Sequence, residues 1–279
     1  MKTPEELKSL VREKYSVIAF QDVTDNMASC CGAGGCSTEV YNIMTDDYTS
    51  IAGYASDADL GLGCGIPTES AVIKPGDVVV DLGSGAGNDA FVARRACGSK
   101  GKVVGIDFTD AMLTLAKQNA EKLGYTNVTF RKGDIENIPM TAGQADVVIS
   151  NCVLNLVPDK AKVFSEIYRI LKAGGHFSIS DVVITEHLPE ALLQDAEMYA
   201  GCVSGAILKS EYLQHIQNAG FTDIRIYKDK PIVIPEDILV RYLSKDEISI
   251  FSAGDQGIRS ITVYGIKPEV ACCEDSACC

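Results

Sequence analysis

The run Val78-Val79-Val80-Asp81-Leu82 passes directly into Gly83-Ser84-Gly85-Ala86-Gly87-Asn88. The first segment lacks the polar–apolar alternation of a half-exposed strand, so it predicts a strand buried on both faces, as in a parallel sheet. The glycines after it let the backbone turn tightly and approach a ligand closely. A helix starting there presents unpaired N–H groups to that ligand. A chain built this way is held to an α/β fold with a small-molecule site at the carboxyl edge of its sheet.

The flanking pattern fits that constraint. Residues 1–20 place Leu7, Leu10, Val11, Tyr15 and Ile18 near helical spacing. Strands are predicted over 78–82, 102–107, 128–132, 145–150 and 176–181. They alternate with helices over 88–96, 111–123 and 160–171, the last expected to stop at Gly174-Gly175. Alternation of this kind implies a doubly wound, mostly parallel sheet. Beyond residue 185, helices are expected over 189–199 and 209–218 and strands over 224–228 and 259–265. We read this half as the end of the sheet plus a helical cap. The expected organisation is an N-terminal helix and Cys-rich loop (1–48), a ligand-binding α/β domain (49–185), a cap with the end of the sheet (186–268) and a Cys-rich tail (269–279).

The glycines run G-x-G-x-G, and Asn88 stands where a dinucleotide fingerprint requires a small residue for close helix–strand packing. The segment instead resembles motif I of class I S-adenosylmethionine-dependent methyltransferases. The resemblance implies the Rossmann-like class I fold, with Asp81, Gly83, Gly85 and Gly87 around the amino-acid end of the cofactor. It also implies Asp107 at the ribose hydroxyls with Phe108 beside it, Asp134 and Ile135 against the adenine, and Asn151 at the end of the fourth strand.

Three cysteines sit in tight frames: Leu62-Gly63-Cys64-Gly65, Ser150-Asn151-Cys152-Val153-Leu154-Asn155, and Gly201-Cys202-Val203-Ser204-Gly205-Ala206. Single cysteines most often pack as small apolar groups, which is the reading for Cys97. Glycines beside Cys64 and Cys202 are expected to expose those thiols. Over residues 50–230 these frames look like the three cysteine frames of arsenite S-adenosylmethionine methyltransferases. The resemblance implies that Cys152 and Cys202 hold trivalent arsenic throughout, and that Cys64 completes a three-sulfur site and takes part in thiol–disulfide turnover. It also implies a functional cysteine near the N-terminus. Cys31 is carried as its match, although the surrounding residues do not choose among Cys30, Cys31 and Cys36. Trivalent arsenic is soft and prefers thiolates, and it has no proton to lose, so no general base is needed. Cys152 is expected as the fixed ligand, with Cys64 and Cys202 on movable segments.

A net charge of −13 argues against nucleic-acid binding, which needs clustered Lys and Arg. No apolar run reaches the ~18 residues of a membrane span, and residues 1–10 lack the apolar core of a signal peptide. Eleven cysteines beside a reduced-enzyme pattern point to the cytoplasm. With no C-x-x-C pair and three histidines, no structural metal is expected. His176, His187 and His215 read as structural. The expected partners are arsenite or its thiol conjugates and, as the resemblance implies, a reductant such as thioredoxin or glutathione. Two alternatives stay open. A quinone-precursor C- or O-methyltransferase would leave the thiols dispensable, and a non-catalytic metalloid-binding protein would have a damaged cofactor loop. The Cys272-Cys273 and Cys278-Cys279 pairs are assigned no role.

Overall fold

The computed structural model describes residues 3–20, 46–193, 205–253 and 256–269. Helix α1 (Pro4–Ile18) is fixed at its start by Thr3, whose side chain caps Glu6 N–H while Glu6 reaches back to the Thr3 N–H. A short helix α2 (Pro67–Ser70) precedes the sheet. Then come β1 (Val78–Leu82), α3 (Asn88–Cys97), β2 (Lys102–Asp107), α4 (Asp110–Lys122), β3 (Val128–Lys132), β4 (Ala145–Asn151), α5 (Lys160–Ile170) and β5 (Leu171–Ile184). The chain continues through α6 (Glu190–Leu193), α7 (Lys209–Asn218), β6 (Thr222–Pro231), α8 (Glu236–Leu239), α9 (Lys245–Phe251) and β7 (Ile258–Ile266).

The seven strands form one sheet ordered β3-β2-β1-β4-β5-β7-β6. The first five are parallel, and β7 and β6 close the edge antiparallel. The order reverses between β1 and β4, the switch point where ligands of open α/β sheets bind. Alternate β1 residues feed two cores. Val80 and Leu82 pack with Phe164 and Ile167 of α5 and Tyr212 of α7, whereas Val79 packs with Phe91 of α3 and Met112 of α4.

Two expectations needed correction. β5 starts at Leu171 and runs through Gly174-Gly175, so those glycines do not stop α5. Leu171 already pairs with Ala145 of β4, and a sheet neighbour overrides a local breaker there. The strand expected to end at Asp181 continues to Ile184 because β7 pairs with it throughout. Helices α8 and α9 were not anticipated. Only Glu190–Leu193 of the helix expected over 189–199 lies among the described residues. No described helix is long and apolar enough to cross a membrane.

Candidate active site

A cleft of about 290 Å³ opens at the switch point, between the carboxyl ends of β1 and β4. Leu82 pairs with Ser150, so Gly83 and Asn151 leave the sheet side by side. Gly83 has φ +69°, and a Cβ there would lie 2.4 Å from a Val153 methyl. Only glycine fits that crossing. Gly85 also has a positive φ, but a Cβ there would meet no atom within 4 Å, since its α-carbon faces open space. Gly87 caps α3 in the left-handed region.

Three carboxylates lie along this edge, Asp81 and Asp107 buried and Asp89 half-buried. Asp81 is pushed well above the usual carboxylate range, first by burial and then by the charges of Asp89 and Asp107. Asp89, in the first turn of α3, is raised by burial to about 6, although Asn151 and Tyr48 hydrogen-bond to it and pull it back. Asp107 is raised by burial against donation from Thr109 N–H and Gly85 N–H, at 2.8 and 3.0 Å.

The polar atoms of the cleft suit a cationic nucleoside. Asp81 Oδ2, Ser84 Oγ and Asn88 Oδ1 are buried with no hydrogen-bond partner among the described residues, and all three residues line the cleft. Such orphans cost about 1–3 kcal/mol each unless a ligand supplies their partners. Acceptors beside raised carboxylates fit a ligand bearing an ammonium group and a sulfonium. Phe108 and Ile135 also line the cleft.

Asp134 is a lining residue, but its carboxylate is taken by Lys8 of α1, 2.6 Å away. Burial raises it, and this is outweighed by Lys8 and the Glu136 N–H, so it ends below its ordinary range. Arg12 stacks its guanidinium 5.5 Å from the Phe108 ring centre. With Val11 and Tyr15, these residues make α1 one wall of the cleft.

Cys152 lines the cleft in the left-handed region, φ +59°, with its N–H on the Ser180 carbonyl at 2.8 Å. A non-glycine residue there carries backbone strain, as functional positions often do. Cys64 shares an apolar cluster with Cys152, Val11, Leu156 and Val182. It is fully buried, against the expectation that its glycines would expose it. Those glycines allow close packing instead: a Cβ at Gly63 would lie 2.7 Å from Asn151 Nδ2, and one at Gly65 would lie 2.5 Å from Ser180 Oγ.

Nor does the Cys64 segment hang loose. Asn151 Oδ1 accepts the Cys64 N–H at 3.0 Å, and Ser260 Oγ donates to the Cys64 carbonyl. Asn151 Nδ2 lies 2.8 Å from the Gly65 carbonyl, so the residue expected to touch cofactor grips this segment as well. Cys202, Cys31 and the other N-terminal and C-terminal thiols lie outside the described residues. Leu192 and Ala206, on either side of the Cys202 segment, both belong to the cluster holding Cys64 and Cys152. Cys97 is buried in the opposite core, as read. Tyr48, Ser84, Asn88 and Asp89 were missed. Ser84 and Asn88 lay inside the glycine motif, but nothing local marked Tyr48.

Residues 73–220 match a methyltransferase domain family. The chain is 40% identical over 231 residues to an arsenite methyltransferase of Halobacterium salinarum, covering 80% of this chain and 59% of that protein. It thus spans about three-fifths of that relative's length. It is 33% identical to an arsenic(III) S-adenosylmethionine methyltransferase from Chlamydomonas reinhardtii of solved structure, with a TM-score of 0.62, covering 83% of this chain and 74% of that one. Similarity to a demethylmenaquinone methyltransferase of Lactococcus lactis is 31% over 137 residues, 49% of this chain and 54% of that protein.

Proposed function

This chain belongs to the arsenite methyltransferase family of methyltransferase-domain proteins, and from that membership we propose that it transfers a methyl group from S-adenosylmethionine to trivalent arsenic held by its thiols. The observation that carries the reading is the junction of two chemistries at one sheet edge. Cys152 lines the same cleft as the Asp81–Asn88 loop, and Cys64 packs in the adjoining apolar cluster.

Asp81 and Asp89 would hold the ammonium end of the methyl donor. Asp107, oriented by Gly85 N–H and Thr109 N–H, keeps acceptor capacity for ribose hydroxyls. Phe108 and Ile135 would flank the base. When bound, S-adenosylmethionine supplies an electrophilic methyl group to the lone pair of arsenic. The chain's part is positioning, which alone can supply about 7–11 kcal/mol of a barrier when the partners are held in line. Cys152 and Cys64, with Cys202 from the segment between Leu192 and Ala206, would be the arsenic ligands. The apolar cluster around the two buried thiols keeps water from them. In our reading Cys31 or a neighbour serves thiol exchange, an external reductant such as thioredoxin or glutathione restores the thiols, and the reducing cytoplasm is the setting.

The test is methyl transfer to arsenite with thiols present. Cys152→Ser and Cys202→Ser are expected to lose activity, and activity equal to the native protein in both would overturn the ligand assignment. A quinone-type methyltransferase would transfer no methyl to arsenite, and its own activity would survive both substitutions.

A further inference from the structure

Asn151 sits between the two halves of the site. Its Nδ2 lies 3.1 Å from Asp89 Oδ2, 2.8 Å from the Gly65 carbonyl and 2.8 Å from the Tyr48 hydroxyl, while its Oδ1 takes the Cys64 N–H. The Tyr48 hydroxyl lies 2.8 Å from Asp89 Oδ1 and 3.0 Å from the same Gly65 carbonyl. Both Asp89 oxygens therefore face groups that also hold the Cys64–Gly65 segment, Asn151 at the Cys64 N–H and both Asn151 and Tyr48 at the Gly65 carbonyl, and Asp89 itself lines the cofactor cleft.

We propose that Asp89, Asn151 and Tyr48 form a coupling element, through which a cationic ligand in the cofactor half fixes the Cys64 segment in its arsenic-binding position. The proposal rests on the function given above. A carboxylate held in place by a cation fixes the Tyr48 O–H and the Asn151 N–H that face it. The amide plane is then fixed, and its Oδ1 stays aimed at the Cys64 N–H. Coupling of this kind is reciprocal: arsenic on Cys64 tightens the cofactor by the same factor that cofactor tightens arsenic. Asn151 and Tyr48 act here as positioning residues.

Arsenite binding to the reduced full chain, measured by equilibrium dialysis with and without S-adenosylhomocysteine, tests this. S-adenosylhomocysteine keeps the ammonium group and cannot donate methyl. In the native protein it is expected to tighten arsenite about fivefold or more, the low end of common allosteric couplings. That sensitive component should vanish in Cys64→Ser. In Asn151→Ala and Tyr48→Phe the ratio should fall below about twofold, in line with loss of most of that coupling. Tyr48→Phe removes one oxygen and keeps the ring against Ile66 and Val92, so it tests the network if Asn151→Ala fails to fold. The ratio is internal to each variant, so a general loss of affinity does not move it. A native ratio of one, or an undiminished ratio in Tyr48→Phe, overturns the coupling. A native protein that binds no arsenite overturns the function as well.

Discussion

Lys8 Nζ lies 2.6 Å from Asp134 Oδ2, a contact that joins α1 to the turn after β3 across 126 residues. The same ammonium also meets Glu136, which is largely buried. Burial disfavours the Lys8 charge, but its two carboxylate partners outweigh this and raise its pKa. The pair therefore fastens one wall of the cofactor cleft. Lys8→Ala is expected to cost on the order of 1 kcal/mol, most of it from Glu136 left without its cation. It should also speed S-adenosylhomocysteine release, about tenfold if roughly 1.4 kcal/mol of retention is lost. Stopped-flow dissociation reads this, and an unchanged rate would show that α1 does not hold the ligand.

Gly83 and Gly85 should respond differently to the same added methyl group. Gly83→Ala meets both left-handed strain and Val153, and is expected to destabilise by about 2–4 kcal/mol. Adding Val153→Ala should return the steric part. Gly85→Ala has open space and should cost only about 1–2 kcal/mol for its backbone conformation, yet weaken cofactor binding by filling the cleft. Thermal unfolding and calorimetric binding of S-adenosylhomocysteine separate the two.

Cofactor binding should weaken in acid. Asp89 titrates at about 6, raised by burial and by Asp59, and lowered by the Asn151 and Tyr48 hydrogen bonds. Asp81 and Asp107 are the buried acids beside it at this edge, and Lys8 and Arg12 face the cleft from α1. A cationic ligand needs Asp89 ionised, so affinity should fall as pH drops below about 6, approaching tenfold per unit, and level off above it. Asp89→Asn should bind more weakly with a flatter profile. A native profile that stays level between pH 5 and 8 would remove Asp89 from the site.

Asp181 makes the opposite kind of prediction, about stability. It is wholly buried at 0% exposure and accepts from the Tyr212 hydroxyl at 3.2 Å. Burial raises it to about 7 against the pull of Lys160 and these donors. The folded state therefore binds this proton more tightly than the unfolded chain, where an Asp titrates near 3.9. Its contribution is full below about pH 4 and is lost as pH rises through about 7, by at most about 1.4 kcal/mol per unit. Asp181→Asn should be less sensitive to pH across this window than the native protein in urea unfolding. Equal slopes would refute the assignment.

Much of the fold was legible because its signals are local. The buried strands 78–82 and 102–107 came out at their full extent because apolar runs and glycine turns encode them directly, and so did the edge strand 128–132, where buried Val128 and Phe130 alternate with exposed residues. The same holds for the glycine loop, and for Asp81 and Asp107 at strand ends. The end of α5 and the length of β5 were misread because sheet partners set them. The segment between β6 and β7 gave weaker signals, so α8 and α9 were missed.

By itself, the sequence determined a mostly parallel α/β sheet, a glycine loop for a small ligand and Cys152 at the carboxyl edge beside that loop. These follow from side-chain period and turn chemistry within a dozen residues. Tertiary structure alone decided that Cys64 is buried, that Cys152 is strained, that Lys8 occupies Asp134, and that Asn151 links Asp89 to the Cys64 peptide. Asn151 is 87 residues from Cys64 and 62 from Asp89. Hydrogen bonds at such separations depend on which chain segments the folded sheet brings together, and no local periodicity carries that information.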